Sequence, residues 1–337
     1  MRSGNRIDIS SLAHTSIDKV PPQPRTMTEF SVEPLPFHPA QIWQWDEGYI
    51  AVGIDGEFLK LDLKLQTSGE VRKPFPCSVQ STALLGKEMV VTWVDHELML
   101  ARMASFALDK GFEDGPDRGE LRTRTSIEAA IHPAGAVWSH VLDAEPLALC
   151  SNDEQFAFIL WQKGIYAMGI DKAEHWRKPE PEWKELERFP HGEVIVSASI
   201  QGSLLHVWSR GAAHNVYQCE DGELVNSEVI ECDGILNSVY SHDENHLLCF
   251  ENGEVMWYRP ETPQVLCKLK GPAQHAVWSV QHDAWHIAGW REEVLFSETK
   301  NQRHVFDEIP VQLISYGNSI LLLMNDGTFV QSSFKDN

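Results

Sequence analysis

"HDAWH", residues 282–286, sets two histidines four apart around an acid, much as a helical zinc motif presents its ligands. A near-copy, "HDENH", stands at residues 242–246. Either the chain carries two metal sites or it builds one piece of scaffold twice. The choice decides the fold.

The surrounding sequence repeats. A short turn, an apolar run, a second tight turn and an alternating run recur from residues 45, 86, 152, 191, 242, 282 and 317. Examples are "WDEGYIAVGIDGEFLKLDLK", "HDENHLLCFENGEVMWY" and "GNSILLLMNDGTFVQSSF". The second residue of the inner turn falls at Gly56, His96, Gly164, Gly202, Gly253, Glu293 and Gly327, giving steps of 40, 68, 38, 51, 40 and 34. Glycine recurs there because a tight hairpin turn needs positive φ. The runs before these turns carry little polarity and suit strands buried on both faces, whereas the runs after them alternate. Only "ELRTRTSIEAAI", around residue 120, reads as helix. Such units predict an all-β fold, a seven-bladed β-propeller of four-stranded antiparallel blades.

In this frame the "HD" pairs at His242 and His282 occupy the turn joining the first two strands of a blade, where the first unit has Trp45 and Asp46. Histidines four apart along a strand lie about 13 Å apart, against about 6 Å on a helix. Zinc–nitrogen bonds of about 2.1 Å cannot bridge the longer gap. The motif reads as scaffold, and no metal is expected.

The stretch "GPAQHAVWSVQHDAWHIAGWREEVLFS", residues 271–297, resembles a WD-repeat blade. It has a Gly-Pro-x-x-His entry, a V-x-S-V strand, an Asp-containing turn and then a strand of small and apolar residues. The resemblance covers the fifth and sixth units best and the others in outline, since most lack the Gly-His and terminal Trp-Asp signatures. It implies a divergent WD-repeat-like propeller.

A ring needs its ends tied, because unpaired strand edges are sticky. The chain ends on a third strand for the last blade, so "MTEFSVEPLPF", residues 27–37, is expected to add to that blade as its outermost strand. Residues 27–337 then form one propeller domain with a long loop insertion near 108–146. Residues 1–26, with "VPPQPR" and low apolar content, read as a disordered tail, or alternatively a docking peptide.

Acids outnumber Lys plus Arg by 49 to 28, a formal charge of −21, with no basic patch. Such a surface repels phosphate backbones and anionic lipid, so neither nucleic acid nor membrane is an expected partner. No apolar run approaches the roughly 20 residues that span a bilayer. Six cysteines without a C-x-x-C pair read as reduced thiols, and a cytoplasmic location follows.

Catalytic signatures are missing. There is no G-x-S-x-G, no P-loop, no G-x-G-x-x-G entering a helix and no sialidase-type Asp-box. The runs expected to line the channel, "IWQW", "TALL", "LALC", "NSVY", "AVWS" and "QLIS", hold few acids. The expected function is therefore a non-catalytic protein–protein interaction scaffold without cofactor, its partners being other proteins. The alternative is a propeller enzyme (hydrolase or lyase) or a small-ligand sensor using the central channel. Candidate partner-binding residues are Trp176, Arg177 and Trp183, among mixed charges and prolines at 171–189, with Trp138 and His140 in the insertion. Trp and Arg dominate interface energetics; the alternative for the indoles at 176 and 183 is that they cover a blade edge, as most of the 12 Trp of this chain must.

Overall fold

A computed structural model describes residues 32–123, 131–317 and 319–334. Seven antiparallel sheets follow one another along the chain. Blade 1 is β1 (Pro39–Trp45), β2 (Gly48–Gly53) and β3 (Phe58–Leu61). Blade 2 is β4 (Val79–Leu85), β5 (Glu88–Asp95), β6 (Leu100–Ala107) and β7 (Trp138–Leu142). Blade 3 is β8 (Pro146–Ser151), β9 (Gln155–Leu160), β10 (Gly164–Gly169) and β11 (Glu174–Lys178). Blade 4 is β12 (Ile195–Gln201), β13 (Leu204–Ser209), β14 (Ala213–Gln218) and β15 (Leu224–Val229). Blade 5 is β16 (Leu236–His242), β17 (Asn245–Phe250), β18 (Glu254–Tyr258) and β19 (Val265–Lys268). Blade 6 is β20 (His275–Ser279), β21 (Ala284–Gly289), β22 (Glu292–Phe296) and β23 (Asn301–Val305). Blade 7 is β24 (Pro310–Tyr316), β25 (Ser319–Met324) and β26 (Phe329–Gln331).

The first strand of each blade lies inward, against the first strands of its neighbours. These strands run the same way: Gln201, ending β12, donates to the Ser241 carbonyl near the end of β16 at 3.4 Å. Ser151, ending β8, likewise donates to Leu84 of β4. The first turn of every blade and the third turn of each four-stranded blade therefore open on one face of the ring. Second turns and blade-to-blade links open on the other.

Second strands such as β2 (GYIAVG) and β9 (QFAFIL) are buried at every position, as continuous apolar runs demand. Outer strands are wet, and β23 (NQRHV) is exposed throughout. The core is a series of seams between blades: Phe58, Phe75, Trp93 and Phe106 fill the first, and Leu247, Trp257, Trp285 and Phe296 fill another.

The turns explain the repeated motif. Gly86, Gly202 and Gly317 open the first hairpin of their blades in the left-handed region, with φ of 57°, 58° and 57°. Asp243 takes the same place in blade 5 at φ 50°, a conformation that Asp tolerates better than most side chains. Asp283, at φ 46°, closes the longer turn of blade 6. The pairs are turn chemistry, but the separation expected along one strand does not hold. His242 and His246 flank a hairpin in which Ser241 pairs with His246, so they lie on opposite faces of it. His242 stacks on Trp278, while His246 is buried and bonds Ser241 Oγ at 2.9 Å.

Two points of the ruler are corrected: Glu293 lies within β22, past the second turn of blade 6 at Trp290–Arg291. Gly202 lies in the first turn of blade 4, whose second turn is Arg210–Ala212. Taking Gly211 instead makes the steps from Gly164 to Gly211 and from Gly211 to Gly253 47 and 42 residues. "EVIVSASI" is accordingly an inward first strand, only partly buried.

Blades 1 and 7 have three strands each among the described residues. Isolated pairings of Phe58 with Arg72 and Leu61 with Thr67 extend the edge of blade 1. Of the segment expected to close blade 7, residues 27–37, positions 27–31 lie outside the described residues, as do 1–26, and positions 32–37 form no strand. From its described end, Leu35 donates its N–H to the Gly327 carbonyl at 3.0 Å. The 108–146 stretch contains a short helix, α1 (Arg118–Thr123), and the fourth strand of blade 2, β7.

Candidate functional site

The central channel has uncharged walls. The seven inward strands, from PAQIWQW to PVQLISY, contain no Asp, Glu, Lys or Arg. The paired carboxylates that glycoside hydrolysis needs are not on them. Among the described residues, no group of three or more His, Cys, Asp or Glu side chains is arranged to hold a metal ion. All six cysteines are free thiols.

The seam between blades 2 and 3 is different. Starting from β7, His140 lies 5.3 Å from Trp138, and Trp138 stacks on Phe156 at 6.1 Å. Phe156 stacks on Phe158, and Phe158 lies almost parallel to Tyr166 at 4.9 Å. Above Tyr166, at 4.7 Å, sits the Arg177 guanidinium. Antiparallel pairing sets Phe158 opposite Tyr166 and Tyr166 opposite Arg177, which fixes the order of the last steps. Three of the five sequence candidates thus belong to one aromatic ladder.

On the second-turn face the same seam opens into a cavity of about 850 Å³, lined by His96, Met99, Leu142, Asp143, Glu145 and Trp161 among others. Met99 is 92% exposed and Trp161 47% exposed. Lys163 Nζ bonds Asp143 at 2.8 Å, and His96 lies 4.0 Å from Glu145. That hydrogen bond from Lys163, aided by the charge of Arg177, holds the Asp143 carboxyl below its usual range. An apolar floor with a charged rim can accept an apolar side chain and orient it by polar contacts.

Trp176 and Trp183 sit elsewhere. Both are buried in the core between blades 3 and 4. The Trp176 indole donates to the Cys219 carbonyl at 2.8 Å, and the Trp183 indole donates to Asn215 Oδ1 at 2.9 Å. They join the blades, while Arg177, Trp138 and His140 keep solvent access. Sequence reading missed Met99 and Trp161. The available signal was an apolar side chain inside a hairpin turn, where burial gives it no reason to be.

Two buried polar clusters also escaped it. Between blades 4 and 5, His206 Nδ1 lies 3.0 Å from His214 Nε2, His214 Nδ1 lies 3.1 Å from Glu228, and His246 packs 5.1 Å from His206. Burial, reinforced by the neighbouring imidazoles, pushes His206 down to about 4 and His246 to about 3. Burial also lowers His214, against the opposing pull of Glu228. Between blades 6 and 7, the buried Glu293 receives His286, Ser332 and the Ser333 N–H.

No protein-family model matches the chain, and no curated protein matches it in sequence. Solved structures share its fold. The Cps50 (Swd1) β-propeller domain from Myceliophteria thermophila superposes with a TM-score of 0.59 at 10% identity, covering 88% of this chain and 95% of that one. The computationally designed Ika8 protein gives 0.57 at 10% identity, with 89% and 97% covered. BamB from Moraxella catarrhalis gives 0.56 at 10% identity, with 88% and 94% covered. The likeness is one of architecture. Among the described residues, no helix is long and apolar enough to cross a membrane.

Proposed function

We propose that this chain is a non-catalytic scaffold that docks another protein through the seam of blades 2 and 3. The observation that carries the reading is the cavity flanked by Met99 and Trp161, two large apolar side chains left in solvent on adjacent hairpin turns. A turn gains nothing from exposing Trp, whereas protein interfaces are anchored by it. The rim residues Asp143, Lys163 and Glu145 supply the polar border such interfaces carry. Arg177, Trp138 and His140 extend the surface over the aromatic ladder. The inward strands carry no Asp or Glu, which speaks against a glycosidase-type hydrolase that needs paired carboxylates there.

The test is affinity capture from native cell extract with the wild-type chain and with the double substitution M99E/W161E. Both side chains are exposed, so the variant keeps its melting temperature. A stoichiometric protein partner held by the wild type and lost by the variant supports the reading. Equal recovery by both chains removes the seam from it.

A further inference from the structure

Among the described residues, five blades carry an outer fourth strand: β7 (WSHVL), β11 (EHWRK), β15 (LVNSEV), β19 (VLCK) and β23 (NQRHV). Such a strand turns unpaired N–H and C=O groups outward, and proteins guard these edges with charges, bulges or covering side chains. A bulge interrupts the pairing of β11 and of β15, and both also carry charge. β19 ends on Lys268, whose carbonyl accepts from Arg303 at 2.6 Å, and Arg303 gives β23 its charge. β7 has none of these devices. It contains no Asp, Glu, Lys or Arg, and its pairing with β6 runs without a bulge along all five residues. We propose that this edge accepts an extended, basic segment of a protein partner as a fifth strand of blade 2. The inference rests on the docking seam proposed above and specifies what its partner presents.

The local fold leaves only backbone facing outward. Trp138, His140 and Leu142 point toward blade 3, where Trp138 stacks on Phe156. Ser139 points the other way, and its Oγ lies 2.7 Å from His132 Nδ1 in the insertion. That part of the insertion is itself held toward blade 1. The Ile131 carbonyl accepts from Arg102 Nε at 3.1 Å, and the Ala134 N–H donates to the Pro74 carbonyl at 3.0 Å. No strand among the described residues lies outside β7. The complement of an open backbone edge is another extended backbone, with a neighbouring pocket supplying selectivity. Antiparallel pairing, the more stable arrangement, starts the incoming strand beside Leu142. Leu142 lines the apolar cavity of the seam, so a residue just ahead of that strand arrives at Met99 and Trp161.

Charge selects the segment. Exposed Glu113 lies beside Gly135 ahead of β7, and Asp143 and Glu145 follow it. Lys163 neutralises Asp143 alone, at 2.8 Å. A second copy of this chain, with its formal charge of −21, is repelled, as is any acidic strand. A strand flanked by lysines is attracted.

The experiment follows backbone amides of the isotope-labelled full chain by nuclear magnetic resonance, with hydrogen exchange. The probes are acetyl-Lys-Thr-Val-Thr-Val-Thr-Lys-amide, an analogue with glutamate for both lysines, and one with two adjacent central prolines. The expected result is saturable shifts and slowed exchange at residues 138–142 with the lysine peptide. The glutamate analogue binds roughly three- to tenfold more weakly, and the proline analogue does not bind. H140K places on this edge the kind of charge that guards β19 and β23. His140 is exposed, so the variant keeps its melting temperature, and it weakens the lysine peptide several-fold. No protection at β7, equal protection at β15, β19 and β23, or unaltered binding in H140K would each overturn the assignment. Equal binding of the lysine and glutamate peptides would overturn the basic character of the segment. These peptides lack an apolar anchor, so M99E/W161E binds them as the wild type does. Partner capture lost in M99E/W161E while no peptide protects β7 removes the edge and keeps the seam. Protection of β7 with equal capture by both chains removes the seam and keeps the edge.

Discussion

The side-chain amide of Gln312 holds both backbone groups of Ile42, 270 residues away. Its Oε1 accepts the Ile42 N–H at 2.7 Å, and its Nε2 donates to the Ile42 carbonyl at 2.8 Å. Gln312 lies on the inward strand of blade 7 and Ile42 on that of blade 1, so this amide stands at the closure of the ring. Tyr49 adds a bond to the Ser315 carbonyl at 3.3 Å across the same junction. Q312L leaves two backbone groups without partners and is expected to cost about 1–3 kcal/mol. Q312E keeps the acceptor but turns a carboxylate toward the Ile42 carbonyl, and should cost at least as much. Urea unfolding checks this through the midpoint at constant slope. Two unchanged midpoints would mean the ring closes without Gln312.

A second tie runs from blade 6 to the end of blade 7. Glu293 Oε1 accepts the Ser333 N–H at 2.7 Å, and Oε2 accepts from Ser332 at 2.8 Å while lying 2.9 Å from His286 Nε2. Burial pushes this carboxyl up, but the bonds from His286, Ser333 and Ser332 outweigh it and hold the pKa below the ordinary value. The ionised form is therefore favoured by folding. That contribution is complete above the unfolded-state value and is lost as pH falls through the folded one. E293Q is expected to cost roughly 2–4 kcal/mol at neutral pH, since it removes the charge and sets an amide against three donors. The gap from wild type should narrow below about pH 4.5. A gap that stays constant with pH would show that the carboxylate is not held by folding.

Trp183 and Arg177 separate structural from surface roles. W183F removes the indole N–H from Asn215 Oδ1, whose amide nitrogen already donates to the Tyr217 hydroxyl at 2.8 Å. A loss of about 1–3 kcal/mol is expected in thermal or urea unfolding. R177A removes an exposed guanidinium from the Tyr166 ring and should change stability by less than about 1 kcal/mol. The reverse order of effects would place Trp183 at the surface and Arg177 in the core.

What the sequence displayed depended on burial. Second strands such as β2 and β9 are enclosed on both sides, so their apolar runs stand out. The inner-turn glycines Gly56, Gly253 and Gly327 do too, because φ of 88°, 82° and 86° excludes most side chains. Outer strands such as β23 face water along their length and leave no period to read. Gly202 misled because a left-handed glycine serves the first turn of blade 4 as well as the second turns of other blades. The seam of blades 2 and 3 was half legible. Trp138, His140 and Arg177 are conspicuous residues, yet the ladder joining them passes through Phe156, Phe158 and Tyr166, ordinary strand residues whose alignment only register reveals. The pairing of His206 with His214 likewise needs two strands to meet, and neither residue belongs to a recognisable motif.

That histidine cluster should make the protein acid-labile. His206, His214 and His246 are buried, and burial lowers all three, the first to about 4 and the last to about 3. His275, in the inward strand of blade 6, is pushed down to about 4 by burial as well. An unfolded histidine titrates near 6.5. Above that pH neither state binds the proton and the groups contribute no pH dependence. Below it the unfolded chain takes up protons that the folded chain refuses, so stability falls as pH drops from about 6.5 toward 4. Each group contributes a slope of up to about 1.4 kcal/mol per pH unit until its folded value is reached. Glu228 partly offsets the effect at His214 by bonding its Nδ1 at 3.1 Å. Urea midpoints measured at pH 7.5, 6 and 5 should therefore fall steeply, with proton uptake on unfolding of more than one per molecule at pH 5. H246F replaces the most strongly depressed imidazole with an apolar ring and should flatten the profile by about one group, whatever it does to stability at pH 7.5. A wild-type midpoint that holds level from pH 7.5 to 5 would mean that these imidazoles remain free to take protons in the folded state.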